Sequence, residues 1–124
     1  MDKAQAINSF WNSFGLVAYD ENSVPDDAKF PYITYGVTTD SFEKPVNLYG
    51  SIWYRDTSWK DISRKSDEIA RKLYDTKPYL VQLDGGGYLW LTDGVPFARR
   101  MADPSDSLIK RIYINLQAEF LTAY

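Results

Sequence analysis

The chain has 124 residues and a net charge of −3, and it contains neither Cys nor His. Its hydrophobic share of 44% is enough for a folded core. A disordered tail is therefore excluded, since such chains bury too little apolar surface to offset their ordering entropy. The missing Cys and His exclude disulfide scaffolds, thiolate or imidazole zinc sites, and every catalytic dyad or triad that needs either residue.

Ala4, Ile7, Trp11 and Phe14 recur at helical spacing, Phe10 widens the stripe, and Gly15 is a natural stop. This predicts a short helix docked on a sheet. Residues 20–31 read as a loop, because Asp20, Asn22, Ser23, Pro25, Asp26 and Asp27 cluster there. The acidic run does not fit a calcium-binding EF-hand. That loop needs Gly at its sixth position and Glu at its twelfth, and Pro25 and Pro31 stand there when counting starts at Asp20.

Residues 32–40 alternate as a strand, with Ile33, Tyr35 and Val37 opposing Thr34 and Thr38. Residues 48–55 form a second strand, with Leu48, Ile52 and Tyr54 opposing Tyr49, Ser51 and Trp53. A hairpin link over residues 41–45 makes the pair antiparallel. Ser58 is the expected N-cap of the next helix, with Asp61 three residues on as a capping box. Trp59, Ile62, Ser66, Ile69 and Leu73 mark its inner face, and Lys60, Arg64, Lys65, Asp67, Arg71 and Lys72 a solvated one. Pro78 follows its end.

Residues 79–83 and 88–92 read as short strands around Asp84-Gly85-Gly86-Gly87. A phosphate loop needs Lys, then Ser or Thr, and a helix after its last Gly, whereas Tyr88-Leu89-Trp90 follows here. The glycines therefore predict a hairpin turn. Residues 93–106 read as a longer connection carrying Arg99 and Arg100. Residues 108–121 form a long strand, with Ile112, Ile114, Leu116, Ala118 and Phe120 opposing Arg111, Tyr113, Asn115, Gln117 and Glu119. The order predicts one α+β domain, a mainly antiparallel sheet with two helices packed on it.

No carboxylate pair sits in a recognisable catalytic motif, and the lysines line a solvated face. Neither an enzyme, a cofactor nor a metal is expected. No signal-peptide pattern or membrane-spanning run is present, so the expectation is cytoplasmic synthesis with no membrane partner. Basic and acidic residues interleave, leaving no basic stripe for nucleic acid.

Pro96-Phe97-Ala98-Arg99-Arg100-Met101-Ala102-Asp103 and Lys110-Arg111-Ile112-Tyr113-Ile114-Asn115-Leu116-Gln117-Ala118-Glu119-Phe120 resemble small tail proteins of long-tailed bacteriophages. Ala6-Ile7-Asn8-Ser9-Phe10-Trp11, Phe30-Pro31-Tyr32-Ile33-Thr34-Tyr35 and Ile52-Trp53-Tyr54-Arg55 are also similar, so the likeness spans nearly the whole chain. The family that these segments resemble is the tail terminator, also called the tail completion or tail-to-head joining protein. The resemblance implies a ring of about six copies that ends tail-tube growth. Its partners would be further copies of itself, the tail tube protein and a head-side connector or stopper protein. Its place would be the head–tail interface of the virion, after synthesis in the bacterial cytoplasm.

Head-completion stoppers and small minor capsid proteins share this size and class and stand as the alternative. A host binding module unrelated to virions is a third. In such a ring genome DNA passes through without specific binding, past a wall that a net-acidic chain makes repulsive. The candidate channel-facing carboxylates are Asp20, Glu21, Asp26, Asp27, Asp84 and Asp93. The candidate subunit interface comprises Arg99, Arg100, Tyr113 and Gln117.

Overall fold

The computed structural model describes residues 2–38, 46–76 and 79–121. The expected link over residues 41–45, the last two residues of the strand expected to end at Asp40, and Pro78 lie outside them. The fold is α+β, a curled six-stranded sheet carrying two helices. The strands are β1 (Val17–Asp20), β2 (Tyr32–Thr38), β3 (Val46–Arg55), β4 (Tyr79–Gln82), β5 (Tyr88–Ala102) and β6 (Ile109–Leu121). Across the sheet they run β1-β2-β3-β6-β5-β4. The sheet is mainly antiparallel as expected, with β1 and β2 its parallel pair.

Helix α1 (Lys3–Trp11) begins with a reciprocal cap. Asp2 accepts from the Gln5 N–H at 2.8 Å, and Gln5 Oε1 accepts from the Asp2 N–H at 3.0 Å. A 3-10 turn at Asn12–Phe14 follows, and Gly15 ends it at φ 78, where a side chain would strain the backbone. The buried stripe is Ala6, Ile7, Phe10, Trp11 and Phe14; Ala4, expected within it, is exposed. Phe10 and Trp11 aim the helix so that the register closes on Ala6 instead. Trp11 stacks on Tyr35 at 6.4 Å, and Phe10 meets Tyr79 edge-on at 5.3 Å.

Helix α2 (Lys60–Asp75) buries Ile62, Ser66, Ile69 and Leu73 as the spacing predicts. Its N-cap is Trp59, not Ser58, and no capping box forms; Ser58 Oγ accepts from the Lys60 N–H at 3.1 Å. Two lysines of the expected solvated face tie the helices together. Lys65 Nζ donates to the Phe14 carbonyl at 2.7 Å, and Lys72 Nζ donates to Ser13 Oγ at 2.8 Å while lying over the Phe14 ring. Their long stems cover apolar surface while the ammonium groups reach polar atoms.

Both helices lie on the same face of the sheet. There Ile33, Leu48, Ile52, Leu89, Leu91, Ile114 and Leu116 are all but fully buried, and each contributes about 1.5–3 kcal/mol.

Two elements depart from expectation. β1 pairs in parallel with β2 where no strand is predicted, because its four residues are too few to display a period. β5 continues to Ala102 through the expected connection of residues 93–106. A β-bulge between Asp93 and Ala98 absorbs Gly94 and Pro96, which break the sequence pattern, and pairing with β6 resumes at Ala98 opposite Ile114. The glycine hairpin is as expected, with Gly85 and Gly86 at positive φ and the Leu83 N–H donating to the Gly87 carbonyl at 2.7 Å.

Candidate interaction face

The opposite face of the sheet carries the alternate residues of every strand. Pairing aligns Val17 with Tyr32 and Trp53, and Trp53 with Arg111. Across these four strands the side chains form one ladder. Tyr19 meets Tyr32 edge-on at 6.0 Å, Phe30 leans on Tyr32 at 5.2 Å, and Tyr32 stacks on Trp53 at 6.3 Å. The Arg111 guanidinium lies 4.7 Å from the Trp53 ring, and its Nε donates to Ser51 Oγ at 2.9 Å. Trp53 Nε1 donates to Thr34 Oγ1 at 2.9 Å. Each ring pair contributes about 0.5–1.5 kcal/mol beyond its buried area, so the ladder is ordered before any partner arrives.

Further along, Tyr49 stacks on Tyr113 at 5.9 Å, and its hydroxyl donates to Glu21 Oε1. That bond, then burial and the nearby carboxylate charge, pushes the Tyr49 phenol up to about 12. Burial, assisted by Tyr19, raises Tyr32 as well. At the β4 end the same face shows Leu80, Tyr88, Trp90 and Leu121, all exposed. Aromatic rings with an arginine, spread over a sheet face that no described element covers, are the composition of protein-binding surfaces. Exposed apolar clusters of this kind mark contact sites.

The expected interface residues divide. Arg99 pairs with Tyr113 across β5 and β6, and Gln117 lies between Asn47 and Thr92, so these three share the helix-free face. Arg100 turns to the helix face. Its guanidinium lies 5.0 Å from the Trp59 ring, and Nη2 donates to Ser63 Oγ at 3.2 Å.

The expected channel carboxylates divide too. Asp20 ends β1, Glu21 follows it, and Asp26 and Asp27 are exposed on the β1–β2 loop, so these four gather at one end of the sheet. Asp84 lies on the β4–β5 turn at the opposite end. Asp93 belongs to strand β5 at the bulge, not to a loop. The expectation missed Tyr19, Tyr32, Trp53 and Arg111 as a site. Their alternation was legible, but their alignment depends on strand order and register.

Comparison with models of known protein families gives no match, and none is found among curated proteins.

Proposed function

We propose that the chain is a non-enzymatic structural protein of a long-tailed phage virion, a tail terminator whose copies form a ring that caps the tail tube and joins it to the head. The observation that carries this reading is the aromatic sheet face that the described elements leave open. The segments that resemble tail terminators include Tyr32, Trp53, Arg99, Arg111, Tyr113 and Gln117, the residues that build it. A closed ring needs two different surfaces on each copy, since a head-to-tail contact joins unlike patches. The sheet offers unlike surfaces, with the Tyr32 and Trp53 ladder on its helix-free face and helix α2 on the other. In this reading the four clustered carboxylates face the channel and keep the DNA passage repulsive.

Electron microscopy of particles assembled without the protein tests the function. Tails of abnormal length that fail to join filled heads are expected. Normal tails joined to heads refute the reading, and leaking heads beside normal-length tails favour a head-side stopper. Native mass spectrometry and imaging of finished virions test the ring, and a single copy per virion refutes it.

A further inference from the structure

The two outer edges of the sheet are finished differently. At β1 a single side chain seals the edge. The Ala18 N–H donates to Asn12 Oδ1 at 2.9 Å, and its carbonyl accepts from Asn12 Nδ2 at 3.4 Å, so the amide stands where a neighbouring strand would. The next outward carbonyl, Asp20, accepts from the Ser23 N–H at 2.9 Å. At the other end β4 pairs only with residues 88–91. Beyond them, among the described residues, no strand lies outside β5. Residues 93–98 form the bulge and contain Pro96, which has no N–H to donate. Residues 98–102 are regular, held from inside by β6 and unpaired outside. Unpaired strand edges accept strands.

We propose that the outer edge of residues 98–102 is a strand-addition site for an extended, carboxylate-bearing segment of a partner protein. The main chain calls for an extended occupant, because alternate N–H and C=O groups of an edge strand need a second ladder. The flank of α2 supplies room for the side chains of that strand. A recess of about 340 Å³ lies between Ser63, Ser66 and Asp67 of α2 and residues Ala98 and Arg100 of β5. Beside the bulge the same helix and strand flank about 710 Å³, lined by Leu73, Leu91 and Phe97 and also by Arg71, Asp75 and Asp93.

Charge selects the occupant. Arg99 stands over one face of the edge and Arg100 over the other, and neither has a carboxylate partner among the described residues. Arg100 is already held by Trp59 and Ser63, so it loses little freedom on meeting a carboxylate. Asp67 is the one acid lining the smaller recess, against two arginines. Charged side chains, a bulge and a proline also protect edges against aggregation. That protection is selective, since two arginines repel basic strands and admit acidic ones. A second copy fits poorly. Its β1 edge is sealed, and two β5 edges paired about residues 99–100 would set arginines opposite one another.

The site does not require the ring, and its test uses the isolated chain. The probe is a fluorescein-labelled seven-residue peptide, Thr-Val-Glu-Val-Glu-Val-Thr, read by anisotropy. Controls replace both glutamates with lysine or N-methylate alternate residues in either register. The glutamate peptide is expected to bind at least about tenfold more tightly than the lysine peptide, a gap of about 1.4 kcal/mol. The Arg99→Glu/Arg100→Glu protein, with its melting temperature checked, should reverse the preference. N-methylation in one of the two registers should abolish binding without any change to the protein. Equal binding of both charged peptides overturns the proposal, as does no glutamate-peptide binding at millimolar concentration or full binding of both methylated peptides. A dimer of the chain alone that the peptide displaces identifies a second copy as the occupant and also overturns it.

Discussion

Gly50 allows Trp11 to lie on the sheet, and Gly50→Ala tests that packing. A Cβ at this position would stand 2.6, 2.8 and 2.9 Å from Cη2, Cζ3 and Cζ2 of Trp11. Carbon atoms pack at about 3.5–4.0 Å, so the ring must retreat by roughly 1 Å. It has little room to do so, being 0% exposed, stacked on Tyr35 and edge-on to Phe10 at 5.0 Å. Phe10 is itself held by Phe14 and Tyr79.

Overpacking of this kind costs about 1–3 kcal/mol, and the constrained ring places this site in the upper half. Removing a mid-strand glycine returns about 0.5–1 kcal/mol. The net loss is about 2 kcal/mol, equivalent to roughly 6–10 °C in melting temperature for a chain of this size. Calorimetry reads the shift. Trp11→Phe shortens the ring and removes Nε1, a buried N–H with no hydrogen-bond partner among the described residues, so the double variant should recover at least about 1 kcal/mol of the expected sum. A Gly50→Ala protein melting within about 1 °C of wild type, or full additivity in the cycle, would refute this account.

Three further outcomes are expected. Asn12→Ala opens the sealed β1 edge; it should cost about 1–2 kcal/mol and speed hydrogen exchange at the Ala18 amide, and unchanged exchange would count against the seal. The Tyr49 phenol lies above its ordinary value of 10.0, at about 12, so its contribution to stability is complete below pH 10 and is lost as pH rises through 12. Glu21→Gln should move that phenolate midpoint down in an ultraviolet titration, and an unmoved midpoint would show that the hydrogen bond is not the cause. The purified protein should not shift duplex DNA at low salt, where electrostatic affinity is greatest; a shift that disappears with added salt would contradict the repulsive channel.

Periodicity determined the two helices, the long strands β2, β3 and β6 and the α+β class, and the glycines of residues 85–87 determined the hairpin turn. Each of these helices and strands repeats its pattern over enough residues to be read locally. Ile62, Ser66, Ile69 and Leu73 are buried as their spacing requires, and the alternation of β6 holds from Lys110 to Ala118. β1 was not legible, because its four residues acquire meaning only beside β2. The second half of β5 was hidden by Gly94 and Pro96, which signal a loop unless a partner strand absorbs them in a bulge. Lys65 and Lys72 looked solvated because spacing along α2 says nothing of where α1 ends. The same limit applies to the interaction face. Alternation divides Tyr49 and Trp53 from Leu48 and Ile52, but strand order and register decide that Trp53 meets Tyr32 and Arg111. Local pattern selects which side of an element is apolar. Only contacts between residues distant in sequence select which side the helices cover, which edge is sealed and which stays open.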